Sequence, residues 1–162
     1  MQISAKKLST CLWFDTQAEE AAKFYVSVFK NSKVGHVSHY AQDVQGKKAG
    51  SVMVVEFEIN GQAFTALNGG PQYKFTEAVS FQVACDSQEE IDYFWDRLTE
   101  GGQEGPCGWL KDRFGLSWQV VPNQLIEMML DKDAKKVARV TNAFLQMKKF
   151  DIEALKRAYD GR

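Results

Sequence analysis

A chain of 162 residues can form one domain or two tightly fused halves, and at this size folding buries about 70 % of the surface the unfolded chain exposes. Its 20 basic and 21 acidic side chains are interspersed and leave a net charge of −1, which argues against an electrostatic nucleic-acid or membrane-surface partner and for a small or neutral one. No apolar run is long enough to span a bilayer and the segment MQISAKKLST lacks a signal-peptide core, so a cytoplasmic protein without membrane insertion is expected.

Lys7 to Phe14 reads as the first strand, and Asp15 or Thr16 as the cap of a helix whose first turn carries Glu19 and Glu20. Ala21, Ala22, Phe24, Tyr25, Val28 and Phe29 then recur at three and four residues, one apolar stripe that needs a sheet beneath it. Val34 to Ala41 alternates as a strand, Asp43 to Lys48 is a polar loop, and Gly50 to Ile59 is a long strand. Asn60-Gly61 predicts a tight hairpin, because a type I′ turn needs positive φ at both positions, and it returns the chain as Gln62 to Asn68. The first half is therefore βαβββ.

After the break at Asn68-Gly69-Gly70-Pro71 a strand is predicted from Thr76 to Cys85. Val79, Phe81, Val83 and Cys85 should face a helix, and Ala78, Ser80, Gln82 and Ala84 the other way. Asp86-Ser87 precedes a helix from Gln88 to about Thr99, stopped by Gly101-Gly102. Gly105 to Lys111 and Leu116 to Val121 follow as short strands joined near Asp112 to Gly115, with Pro122 closing the sheet. Residues 123–162 carry helical apolar spacing in Leu125, Met128 and Met129, in Val137, Val140, Phe144 and Met147, and in Ile152, Leu155 and Tyr159: two or three amphipathic helices.

Glu19-Glu20 with Phe24-Tyr25 and Glu89-Glu90 with Phe94-Trp95 stand at one offset of 70 residues, each after a strand and an Asp-Thr or Asp-Ser pair. That period is too long for a small-repeat solenoid and fits two copies of one supersecondary module. The expected fold class is α+β: a single domain, 1–162, of paired βαβββ modules at 1–75 and 76–122, with a helical tail at 123–162. Phe24 and Phe94 should both be buried between helix and sheet.

Paired βαβββ modules with a Glu-Glu…Phe-Tyr helix resemble the vicinal oxygen chelate superfamily, which includes glyoxalase I, extradiol dioxygenases and bleomycin-binding proteins. Within it, residues 66–71 (ALNGGP), 78–83 (AVSFQV), 107–122 (CGWLKDRFGLSWQVVP) and 147–159 (MKKFDIEALKRAY) are similar to the PhnB-like family, which often carries the name 3-demethylubiquinone-9 3-methyltransferase. The resemblance implies a homodimer and, for metal-dependent members, a divalent ion held by His or Glu from the first and last strand of each module. Here Leu8 to Phe14 offers only Cys11, Gln62 to Asn68 offers no carboxylate, and Gln119 stands where a metal-binding relative would show glutamate. A neutral amide is at most a weak carbonyl ligand, so neither metal nor other cofactor is expected.

The methyl transfer implied by the name would need parallel βα units and a Gly-rich first turn for adenosylmethionine, and neither is visible. His36 and His39, three apart in a strand, point to opposite faces. Gly69-Gly70 and Gly101-Gly102 fit no phosphate-loop pattern. Cys11, Cys85 and Cys107 read as reduced, mostly buried thiols, and Cys107 has no evident base to make it a nucleophile. The expectation is a small-molecule-binding protein with a cup between its curved sheets. Ser80, Gln82, Ser117 and Gln119 form the polar floor, Asn68 the rim, and Trp13, Phe75 and Trp109 apolar walls, with Trp118 in the core. The alternatives are a methyltransferase, a metal-dependent glyoxalase- or dioxygenase-like enzyme, and a dimeric scaffold without pocket chemistry.

Overall fold

The computed structural model describes residues 8–162, so Lys7 and the rest of the N-terminal segment lie outside the described residues. The fold is α+β, with two four-stranded sheets and five helices among the described residues, and the chain divides into two compact units, 1–74 and 75–162.

The first unit runs β1 (Thr10–Phe14), α1 (Ala18–Val28), β2 (Lys33–His39), β3 (Val52–Ile59) and β4 (Gln62–Asn68), in spatial order β1-β4-β3-β2. β1 lies parallel to β4 and the other pairs are antiparallel. Asn60 and Gly61 take φ of 47° and 76°, the left-handed pair that a two-residue hairpin requires. The apolar stripe of α1 packs Tyr25 over Phe57, which stacks in turn on Phe64 at 5.2 Å between ring centroids.

The expected cap from Asp15 or Thr16 does not form. Gln17 occupies the cap position without a side-chain bond, and the backbone N–H of Ala18 donates instead to Asn68 Oδ1 at 2.9 Å. The parallel register explains the exchange: Phe14 pairs with Asn68, so the end of β4 arrives beside the first turn of α1.

The second unit repeats the pattern as β5 (Ser80–Cys85), α2 (Gln88–Thr99), β6 (Gln103–Glu104), β7 (Trp109–Lys111) and β8 (Ser117–Pro122), ordered β5-β8-β7-β6 with β5 and β8 parallel. Both sheets therefore share one topology, as the 70-residue repeat predicts. Ser87 caps α2 by accepting from Glu90 N, and the Glu90 carboxylate accepts from Asp86 N at 2.8 Å, a reciprocal arrangement that uses two otherwise orphaned donors.

Three expectations are corrected here. Thr76 to Val79 precedes the strand, and Val79 is 67 % exposed, because β5 pairs with β8 only from Ser80 onward. Gly105 to Gly108 forms a turn, and β6 at Gln103–Glu104 is the edge strand that pairs with β7. Phe94 is half-buried, since α2 presents Ile91, Trp95 and Leu98 to the sheet, and Phe94 instead meets Tyr93 edge-on. The repeat partner of buried Tyr25 is Trp95, 2 % exposed.

The tail forms α3 (Asn123–Met129), α4 (Ala134–Phe144) and α5 (Ile152–Asp160), packed within the second unit. Val140, Phe150, Ile152 and Leu155 are buried there. Gln88 clamps it, its amide donating to Phe150 O and accepting from Ile152 N, both at 3.0 Å. Cys107 N and Gly108 N donate to Met147 O and Lys148 O at 2.8 and 2.7 Å. A Cβ on Gly108, at φ 77°, would lie 2.5 Å from the Phe150 ring, so glycine is required for this close approach.

Candidate functional site on the open strand face of the second unit

Side chains alternate across a strand, so the residues that fill the core beneath α2 (Cys85, Leu110, Trp118 and Val120) leave their neighbours on the opposite face. Ser80 stands opposite Ser117, Gln82 opposite Gln119, Gln119 opposite Trp109, and Ser117 opposite Lys111. Five predicted site residues thus form one patch. Gln119 Nε2 donates to Ser80 Oγ at 2.9 Å, and Gln82 Nε2 donates to Gln119 Oε1 at 3.4 Å.

Ser117 is different. None of its surface reaches solvent, and its hydroxyl has no hydrogen-bond partner among the described residues. An unsatisfied buried hydroxyl costs about 1–3 kcal/mol, so this position carries a cost that the fold itself does not offset. Ser117 lines a cavity of about 410 Å³ together with Glu77, Gln103, Pro106, Trp109 and Lys111. Lys111 Nζ lies 2.5 Å from Glu77 Oε1, and this hydrogen bond holds the Glu77 carboxyl below the usual carboxylate range.

Behind the patch, Asp112 fixes the β7–β8 turn. It is 3 % exposed, and its carboxylate accepts from Phe114 N, Leu116 N and Trp118 Nε1 at 2.9, 3.1 and 2.8 Å. These bonds hold Trp118 in the core, as expected, and orient Ser117 and Gln119 the other way. Sequence reasoning passed over Asp112, although its place three residues before Gly115 at φ 85° is a turn signal. It also passed over the Glu77–Lys111 pair.

The predicted residues of the first unit serve their own fold. Asn68, expected at a rim, is 7 % exposed; beyond capping α1, it donates through Nδ2 to Val52 O at 3.1 Å. Trp13 donates its indole N–H to Gly70 O at 2.8 Å and meets Tyr73 edge-on at 5.0 Å. Phe75 is half-buried ahead of β5. Of the thiols, Cys11 is exposed, contrary to expectation, because it alternates away from the α1 face. Cys85 is fully buried, and that burial pushes its thiol up to about 12. Cys107 directs its thiol to Phe144 O at 3.6 Å.

The donors of the open face do not fit a divalent cation. Ser80, Gln82 and Gln119 are neutral and already bonded to one another, whereas hard cations favour anionic oxygen. Among the described residues no three His, Cys, Asp or Glu side chains form a group that could hold a metal ion. Neither sheet, with one parallel strand pair each among the described residues, shows the alternating parallel βα units of a Rossmann-type site. Among the described residues no helix is long and apolar enough to cross a membrane.

A family model described as 3-demethylubiquinone-9 3-methyltransferase matches residues 6–121, well over half of the chain and short of the tail helices. The PhnB protein of Bacillus cereus, whose structure carries the same description, is 33 % identical over 72 % of this chain and 99 % of its own, with a TM-score of 0.64. A Pseudomonas aeruginosa protein is 19 % identical over 73 % of this chain and 98 % of its own, with a TM-score of 0.60. The genomically encoded fosfomycin resistance protein FosX of Listeria monocytogenes, 16 % identical over 76 % of this chain and 97 % of its own, shares the fold at a TM-score of 0.51. Among curated proteins nothing matches. The chain belongs to the PhnB-like, 3-demethylubiquinone-9 3-methyltransferase-like family.

Proposed function

We propose that this chain is a small-molecule-binding protein that works without a catalytic metal. The ligand lies on the open face of the second unit, with Ser80, Gln82, Ser117 and Gln119 as polar floor and Trp109 as wall. The observation that carries the reading is Ser117, which lines a cavity of about 410 Å³ and whose buried hydroxyl has no partner among the described residues. Binding sites combine apolar walls with a few placed polar groups, and this face has both. Phe75 is a further candidate wall on this unit. We also propose a homodimer, supported by the exposed apolar residues Ile126 and Met129 on α3 and Leu130 just after it.

Native mass spectrometry of freshly purified protein, with elemental analysis, tests both readings. A retained organic ligand that is lost in Ser117→Val and Trp109→Ala, at two chains per particle, is the expected result. One equivalent of Ni, Zn, Fe or Mn per chain, lost on mutating Gln119, would overturn the metal-free reading. Retained adenosylmethionine would establish methyl transfer in its place, and a particle of one chain at high micromolar concentration would refute the dimer.

A further inference from the structure

We propose that residues 41–50, which join β2 to β3, form a strap over the first unit, latched by the Lys47–Asp15 ion pair, whose release opens the corner at Gly70 and Trp13. The inference lies in the other unit from the binding reading above and does not depend on it. Along the strap every residue is exposed except Lys47, which is drawn in. Its side chain is 17 % exposed, against 84 % for Lys48 beside it. Lysine is among the residues least often buried, so one that turns from solvent to the protein body is held there by something. Among the described residues its one charged partner is Asp15 Oδ1 at 3.7 Å, and its ammonium makes no hydrogen bond. Asp15 is half-exposed, and it is left without a capping role because Asn68 holds the start of α1. Lys47 Nζ lies 3.0 Å from where a Cβ on Gly70 would stand, and the Gly70 carbonyl is the one that accepts the Trp13 indole N–H. Lys47 thus fills the space beside the residue to which Trp13 is tied.

The strap is built to move as one piece. Val44 and Lys47 exchange backbone hydrogen bonds at 3.0 and 2.8 Å around Gln45-Gly46, whose φ values of 44° and 81° make the tight turn. Asp43 accepts from Ala49 N and Lys48 Nζ at 2.9 and 2.8 Å. At the foot, Tyr40 N donates to Ser51 O and Gly50 N to Tyr40 O, while the Tyr40 hydroxyl anchors the foot on Asn68 O. Among the described residues, every hydrogen bond of 41–49 stays within 40–51, so Lys47 is what ties the tip to the body. An ion pair with a half-exposed carboxylate at this distance is weak and screened by salt, and can therefore be undone without unfolding the sheet. Its release leaves Trp13 and Tyr73, edge-on at 5.0 Å, as an aromatic pair to which the strap controls access.

Two chemical footprints of the full chain, read peptide by peptide by mass spectrometry, test the strap: brief acetylation of lysines and hydroxyl-radical oxidation of aromatic rings. At low salt Lys47 should be acetylated several-fold more slowly than Lys48. That gap should narrow by about two- to fivefold in Asp15→Asn and at high salt, the range that a weak ion pair supplies. Trp13 should be oxidised faster in Asp15→Asn and in Lys47→Ala than in the unaltered chain, with buried Trp95 and Trp118 keeping their rates as internal standards. Asp15 caps no helix and Lys47 stands in an exposed segment, so both variants keep the fold, and unchanged Trp95 and Trp118 rates verify it. Lys47 acetylated as fast as Lys48 at low salt overturns the seated strap. A gap indifferent to both salt and Asp15→Asn overturns the latch, and Trp13 oxidised at one rate in all three chains overturns the opening of the corner. Each of these failures leaves the binding reading standing, since that reading is tested by ligand retained on the second unit.

Discussion

Replacing Asn68 by alanine separates a fold-holding residue from a ligand-holding one. The substitution strands the Ala18 N–H, on a residue with no exposed surface, and the Val52 carbonyl, which it leaves without its 3.1 Å donor. Loss of the helix cap costs about 1 kcal/mol, within a range of about 0.5–2. Loss of the second, part-buried bond adds about 0.5–1.5 kcal/mol. The sum, about 2 kcal/mol within a range of about 1–3.5, is a large fraction of the stability of a domain this size. Asn68→Asp keeps an acceptor beside the start of α1, where negative charge is favourable, yet turns a second oxygen towards Val52 O. It should therefore recover only part of the loss. Urea unfolding followed by far-UV circular dichroism measures both. A loss below about 0.5 kcal/mol in Asn68→Ala would refute the assignment, as would weakened ligand binding at unchanged stability.

Three further outcomes are expected. Trp95→Ala should cost about 3–5 kcal/mol, the range for a fully buried aromatic, against about 1 kcal/mol for half-buried Phe94→Ala; equal losses in urea melts would contradict the assigned α2 stripe. Gly69→Ala should destabilise by about 1–3 kcal/mol, since its Cβ would lie 2.2 Å from the Trp13 ring, which the Gly70 carbonyl holds in place; thermal melts with Trp fluorescence report it. Iodoacetamide at pH 8 should label Cys11 rapidly and Cys85 only on unfolding, read by mass spectrometry of the peptides. Because burial raises the Cys85 thiol from 9.0 to about 12, the folded state holds that proton more tightly. Its contribution to stability is complete below pH 9 and is lost as the pH climbs from 9 to 12.

The fold was legible where the signal is local. Asn60-Gly61 announced its hairpin, Ser87 its cap, and the 70-residue offset of Glu19-Glu20 and Glu89-Glu90 a duplication that the two identical strand orders display. What the sequence concealed depends on partners far along the chain. Asp15 and Thr16 are good capping residues by type, yet Asn68 takes the position because a parallel strand delivers it there. Phe94 looked equivalent to Phe24 by offset, but the α2 spacing of Ile91, Trp95 and Leu98 places it at the stripe's margin. In the site, alternation alone put Ser80, Gln82, Ser117 and Gln119 on one face. That Lys111 would meet Glu77 could not be read, because the two are joined only through the packing of a loop without regular structure.

The Gln88 clamp sets an order on the birth of the protein. Gln88 opens α2, but the groups its amide grips, Phe150 O and Ile152 N, lie 62 and 64 residues further on. Domains fold as units during synthesis at about 5–20 residues per second, so Gln88 waits about 3 to 12 s for its partners to be made. Throughout that interval Cys107 and Gly108 lack the carbonyls of Met147 and Lys148, and the groove that Phe150 fills is open. The first unit has every strand it needs by Asn68, whereas the second can form its sheet by Pro122 and still be unfinished. A nascent chain stalled between residues 122 and 147 therefore presents one completed unit and one with its seam unsealed, the form in which a chaperone or a protease would meet it.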